Sequence, residues 1–147
     1  VLIVAKNPLA ASLTTFQKTY IALCHGNFNQ KSFQIEKPIS TIVENNINKQ
    51  KRVISADGKP ATTKVKVLQE KEGFSLIELK LSQGRTHQIR VHLSSIEHPL
   101  LGDKLYGFQD DAPRTMLHCA KVELSPPFSA PKIIVSAPLP KDFEELC

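Results

Sequence analysis

The chain contains no tryptophan, a single methionine and only three cysteines among 147 residues. Cys24, Cys119 and Cys147 are too few and too scattered for a disulfide framework, and no Cys-x-x-Cys is present to seat zinc or a dithiol couple. That economy fits a reducing, cytoplasmic setting. Long apolar runs are missing too: Val1–Ala5 is far short of the roughly 20 residues that a membrane-spanning helix needs. No basic flank precedes that run, so it does not read as a secretory signal. No Gly-x-Ser-x-Gly occurs, which removes the nucleophile elbow of the serine hydrolases. The one methionine is Met116, so the chain opens without an initiator residue. It opens instead on a buried-strand pattern that needs a connection before it, and an upstream part of the same protein is expected.

What is present is the make-up of one globular domain, with 41% hydrophobic and 22% charged residues. A chain of this length can bury roughly two thirds of the surface it exposes when unfolded. The net charge of +5 is concentrated. Between Lys49 and Lys71 stand Lys49, Lys51, Arg52, Lys59, Lys64, Lys66 and Lys71 against Asp57 and Glu70. The remainder is neutral, and such a concentration suits a polyanion such as RNA or DNA.

Strands alternate with short helices. Asn7-Pro8 is a helix-start signal, and Leu9, Leu13 and Phe16 follow at helical spacing. Tyr20 to His25 is apolar, β-prone and closed by Gly26, which predicts a strand. Phe28 to Asn48 is polar and weakly periodic, broken at Lys37-Pro38. Asp57-Gly58-Lys59-Pro60 predicts a turn. Thr63, Val65 and Val67 then alternate with Lys64 and Lys66, a half-buried strand with a basic outer face. Phe74 to Leu81 forms a second strand, joined to the first as an antiparallel hairpin. From Thr86 to Ile96 both periods fit, and a helix is preferred, with Thr86 as its cap and His98-Pro99 as its stop. Further strands are expected near Met116 to Leu124 and Lys132 to Ala137. The fold class is α+β, one domain built on a mostly antiparallel mixed sheet with short flanking helices.

Three groupings could carry chemistry. His87, His92 and His98 lie close in sequence, but none has a second histidine or an acid at helical i, i+4 spacing, so capping or surface roles outweigh a metal site. Cys24-His25 and His118-Cys119 are adjacent on predicted strands, where neighbours face opposite ways, so neither pair makes a nucleophile–base dyad. The third is the segment from Gly84 to Leu93, Gly-Arg-Thr-His-Gln-Ile-Arg-Val-His-Leu, with two arginines, two histidines, a glutamine and no acid at a strand–loop–helix junction. Arg85, in the loop, offers a planar fork suited to carboxylate or phosphate, and the helix N-terminus adds backbone N–H groups. An anion site is the reading this density of donors supports.

That segment resembles the signature of the RluA-type pseudouridine synthases, which isomerise uridine in RNA. Other blocks are similar in the same order: Val1 to Asn7, Lys18-Thr19-Tyr20-Ile21-Ala22-Leu23, Gly58-Lys59-Pro60-Ala61 with Thr63, His98 to Gly107, Arg114 to Ala120, and Ala137-Pro138-Leu139-Pro140. The segment between Pro8 and Lys18 is shorter than that family usually has. The resemblance implies the C-terminal portion of a catalytic domain over 1–147, with neither metal nor organic cofactor. It implies a cytoplasmic monomer acting on ribosomal or transfer RNA. The family's catalytic aspartate lies in a His-Arg-Leu-Asp motif just before the Val-Leu-Ile-Val strand, and that motif is absent from this sequence. Asp57, Asp103, Asp110, Asp111 and Asp142 stand in other contexts, so the chain alone is expected to be inactive. By the same resemblance Tyr20 packs on the flipped base, Arg85 pairs with the catalytic aspartate, and Leu117 lines the uracil pocket. Thr86, His87, Gln88 and Arg90 of the signature, with Lys59, Lys64 and Lys66 of the basic window, are expected to meet the RNA. A non-catalytic RNA-binding domain or pseudoenzyme is the alternative.

Overall fold

The computed structural model describes residues 15–41, 51–125 and 131–146. Eight strands are found there: β1 (Thr15–His25), β2 (Ser32–Glu36), β3 (Ile39–Ser40), β4 (Val53–Ile54), β5 (Thr62–Lys71), β6 (Phe74–Leu81), β7 (Leu117–Ser125) and β8 (Ile133–Ser136). Helix α1 (Gln88–Ser94) follows β6, and α2 (Lys141–Leu146) ends the described chain. Six strands form one sheet in the order β2-β5-β6-β1-β7-β8, and every described pairing is antiparallel. β3 and β4 make a separate small ladder.

Alternation along the strands gives the sheet two apolar faces. On one, Ala22, Cys24, Val65, Val67, Ile77 and Leu79 pack beneath Ile89 and Leu93 of α1. On the other, Leu23 and Met116 pack against Phe143 of α2. The hairpin of β5 and β6 forms as expected, turning at Gly73 with φ of 82°. One bulge, between Val67 and Gln69, turns Leu68 out to solvent. A second breaks the β1–β7 register between Thr19 and Tyr20.

Several local expectations change. Phe16 stands in β1 opposite Leu124, not on a helix, because Thr15 and Phe16 extend the ladder with β7. The strand expected over Val1–Ala5 and the helical positions Leu9 and Leu13 lie outside the described residues. The polar stretch after Phe28 contains β2, where Phe33 and Ile35 turn inward between exposed Ser32, Gln34 and Glu36. Helix α1 is shorter than Thr86 to Ile96 and Thr86 does not cap it. His87 occupies the cap position with φ of 56°, and no side chain caps the helix there. Its end does fall before His98-Pro99: Glu97 takes φ of 66° and His98 N–H donates to Leu93 O at 3.0 Å, a Schellman closure.

Phe143 is fully buried, and its helix is tied to the segment before β7 by the Arg114–Asp142 fork, at 2.8 and 3.0 Å. Phe143→Ala should therefore cost about 3–5 kcal/mol, read as a lower urea midpoint at unchanged slope.

Candidate functional site

A pocket of about 480 Å³ opens where the β5–β6 end of the sheet meets the β3–β4 ladder. Arg85, Thr86, Lys59 and Arg52 line it, with Asp57 as the one acid. Arg85 sits on the loop leaving β6, three residues before α1. Its main-chain N–H donates to Gln88 Oε1 at 3.0 Å, and its Nε reaches Pro60 O at 3.4 Å. The backbone is thus fixed while the guanidinium stays exposed, in no ion pair with any described residue. Lys59 projects from a turn clamped to β3 by reciprocal main-chain bonds with Ile39, both 2.9 Å.

Gln88 is 2% exposed and holds this loop from below. Its Nε2 donates to Thr62 O at 3.0 Å and to Thr63 Oγ1 at 3.2 Å. Thr63 Oγ1 in turn meets His92 Nδ1 at 2.8 Å, and His92 Nε2 meets Lys37 O at 2.9 Å. A carbonyl only accepts, so Nε2 carries the imidazole proton and Nδ1 accepts from Thr63. Burial pushes the His92 pKa down, against the pull of its bond to Lys37 O, so the ring is neutral at neutral pH.

Arg90 is turned inward as well. Its Nε and Nη2 form a fork with Asp103 at 2.8 and 2.6 Å, and Asp103 also accepts from Leu105 and Tyr106 N–H, both 3.1 Å. Asp103 is 0% exposed. Burial alone would raise its pKa, but Arg90 and the two N–H groups outweigh it and hold the carboxyl below its usual value. Gln88 and Arg90 were expected at the substrate. The structure engages the Gln88 amide and two of the Arg90 nitrogens inside the protein, where they shape the segment. His87 Nδ1 meets the Tyr106 hydroxyl at 3.1 Å, and Thr86 is the neighbour of Arg85 that stays exposed on the pocket. His98 meets His25 O at 2.8 Å and lies against Phe28, so the three histidines go separate ways. Among the described residues, no group of three or more His, Cys, Asp or Glu converges to hold a metal ion.

Tyr20 and Leu117 form a second group. Tyr20 stands opposite Leu79 on β6 and Cys119 on β7, and Leu117 stands opposite Ala22. All share the α1 face of the sheet, with Tyr20 and Leu117 partly buried at the edge of its core. Burial, with Cys119 beside it, pushes the Tyr20 phenol up, so it stays a neutral donor. Tyr20 lies two register positions from the end of β6, where the chain leaves toward Arg85. Lys64 and Lys66 are not brought to either group. They alternate with Thr63, Val65 and Val67 and therefore project from the opposite face. Arg52 and Tyr106 were not singled out by sequence. Arg52 was one basic residue among seven in its window, and Tyr106 one position of a resembling block.

A model of the RNA pseudouridylate synthase family matches residues 1–95. The chain is 40% identical over 136 residues to the RNA pseudouridine synthase YhcT of Bacillus subtilis, covering 90% of this chain and 44% of that protein. It is 37% identical over 142 residues to the ribosomal large subunit pseudouridine synthase D of Nitrosomonas europaea, covering 90% and 40%. The chain thus spans less than half the length of either relative. The solved human RNA pseudouridylate synthase domain containing 1 superposes with a TM-score of 0.73 at 29% identity, over 85% of this chain and 55% of that one.

Two outcomes test the internal framework. Asp103→Asn strands the Arg90 guanidinium and should cost about 3–5 kcal/mol in urea unfolding. For His92, the folded pKa is depressed, so its contribution is complete above an unfolded value of about 6.5 and is lost as pH falls through the folded value. The urea midpoint should drop on acidification below about pH 6.5, and His92→Gln should remove that part of the slope.

Proposed function

Because the chain belongs to the RNA pseudouridylate synthase family, we propose that it is the later part of the catalytic domain of an RluA-type RNA pseudouridine synthase, an isomerase acting on uridines of ribosomal or transfer RNA in the cytoplasm. The reaction breaks the bond between uracil N1 and the ribose, turns the base and rejoins it through C5. A base must leave its stack to be reached, so a stacking aromatic and a charged clamp are required. Tyr20 and Leu117 supply the apolar wall, and Arg85 the clamp.

The observation that carries this reading is Arg85 itself: a cation fixed through its backbone, exposed on a basic pocket and in no ion pair among the described residues. A carboxylate brought beside it stays ionised and is held in place by the fork. The aspartate of a His-Arg-Leu-Asp segment upstream is that partner. Of the described acids, Asp103, Asp110 and Asp142 are engaged with Arg90, His25 and Arg114 respectively. Asp57 is the acid on the pocket lining.

A tritium-release assay on RNA labelled at uracil C5 tests the reading. The 147-residue chain should release none, and the same chain joined to its upstream segment should turn over. In that longer protein Arg85→Met should lower turnover by about a hundredfold or more while RNA affinity changes only severalfold. Tritium release by the chain alone would sink the assignment and turn attention to Asp57 as nucleophile.

A further inference from the structure

Arg52 is the pocket residue that the resemblance leaves without a role. It precedes β4, and its main-chain N–H donates to the Tyr106 hydroxyl at 2.6 Å. Tyr106 is itself held: His87 Nδ1 meets the same hydroxyl, and the Arg90 guanidinium lies 5.0 Å from the ring centre, locked there by Asp103. Arg52 is therefore pinned by a chain of contacts that begins in a buried ion pair. Its Nη1 is closed off from solvent and has no hydrogen-bond partner among the described residues. A guanidinium stripped of water on one side without an acceptor lacks the compensation that buried polar groups normally find. An anion reaching the part of that delocalised cation that lines the pocket would offset its charge without bonding Nη1 itself.

Lys59 is equally prepared. Gly58 lies so close to Ile39 that a Cβ there would stand 2.6 Å from its carbonyl carbon, and Gly58 N–H donates to Ser55 O at 2.9 Å. The turn therefore docks on β3 with Lys59 at a set position. The lining carries Arg52, Lys59 and Arg85 against Asp57, a surplus of positive charge in one concavity.

We propose that Arg52 and Lys59 form a seat for one backbone phosphodiester of the RNA, beside Arg85 and separate from its carboxylate. An arginine fork with a lysine point charge suits a phosphate that keeps one negative charge. The seat rests on the RNA reading above. It would set the register of the strand in the pocket while carrying no sequence information. Tyr106 is a positioning residue for it, acting through the Arg52 main chain.

Binding of a short fluorescein-labelled oligouridylate, followed by anisotropy against salt, tests the seat. Arg52→Lys and Tyr106→Phe keep the net charge. Attraction by net charge alone predicts no change in either, whereas the seat predicts about five- to tenfold weaker binding in both. The double variant R52Q/K59Q should lower the log–log salt slope by about 0.7, one single-strand phosphate's worth. K64Q/K66Q, losing the same charge on the opposite face, should leave the effect of Arg52→Lys intact. Urea midpoints check that the variants fold, and if Tyr106→Phe does not, Arg52→Lys decides alone. Wild-type affinity in the charge-conserving variants overturns the seat. Displacement of the oligouridylate by low-millimolar inorganic phosphate at matched ionic strength also overturns it, in favour of a free-phosphate site. Failure of the wild type to bind the oligouridylate at any salt is a different result, and it overturns the RNA reading itself.

Discussion

The side-chain amide of Gln88 is bonded at both ends inside the protein, and the shape of the Arg85 loop depends on it. The chain of donors runs one way: Arg85 N–H to Gln88, Gln88 to Thr63, Thr63 to His92, His92 to Lys37 O. It crosses from the loop through α1 and β5 to the connection between β2 and β3. Each link is satisfied only while its neighbours are, and a buried group left without its partner costs about 1–3 kcal/mol. Such a chain admits one arrangement, so the loop has one backbone position. A cation carried on a loop so fixed keeps its direction toward an anion, because an ion pair loses directional value quickly when either partner wanders.

The signature segment shows how a run of similar donors divides its work. Read as composition, Arg85, His87, Gln88, Arg90 and His92 are one dense patch. In the structure Gln88, Arg90 and His92 point into the protein, where Thr63, Asp103 and Lys37 O supply acceptors from elsewhere in the chain. Only those distant acceptors decide which donors remain for a ligand, and spacing within the segment does not contain them. The same limit explains the missed cap. Thr86 is a good capping residue, but His87 takes a left-handed conformation fixed beside Tyr106 from a later loop, which leaves Thr86 outside the helix.

The legible parts were those whose signal is local. Alternation and a glycine turn identified β5, β6 and their pairing, and the proline after His98 marked the end of α1. β3 and β4 are two residues each and exist because Ile39 and Ile54 pair across the chain, which no window along the sequence displays. The charged window was legible as a sum and not as a surface. Period-two alternation sends Lys64 and Lys66 to one face of the sheet, while a turn and a short ladder carry Lys59 and Arg52 to the pocket on the side of Arg85.

The exposure of the Arg85 side chain, against the burial of everything that holds its backbone, separates two tasks that one residue could not perform together. A guanidinium paired internally, as Arg90 is with Asp103, is held in place, with its charge already matched by a buried carboxylate. A guanidinium held only by its side chain would be free to drift. Here the main chain is fixed by Gln88 and the charge is left unspent. At about 4 Å and an effective dielectric of about 20, a carboxylate beside it gains roughly 4 kcal/mol before desolvation is counted. Opposite charge at that distance favours the ionised form of a carboxylate. Asp57 shares the lining without pairing with Arg85, so the Arg85 charge remains open to an anion on that surface.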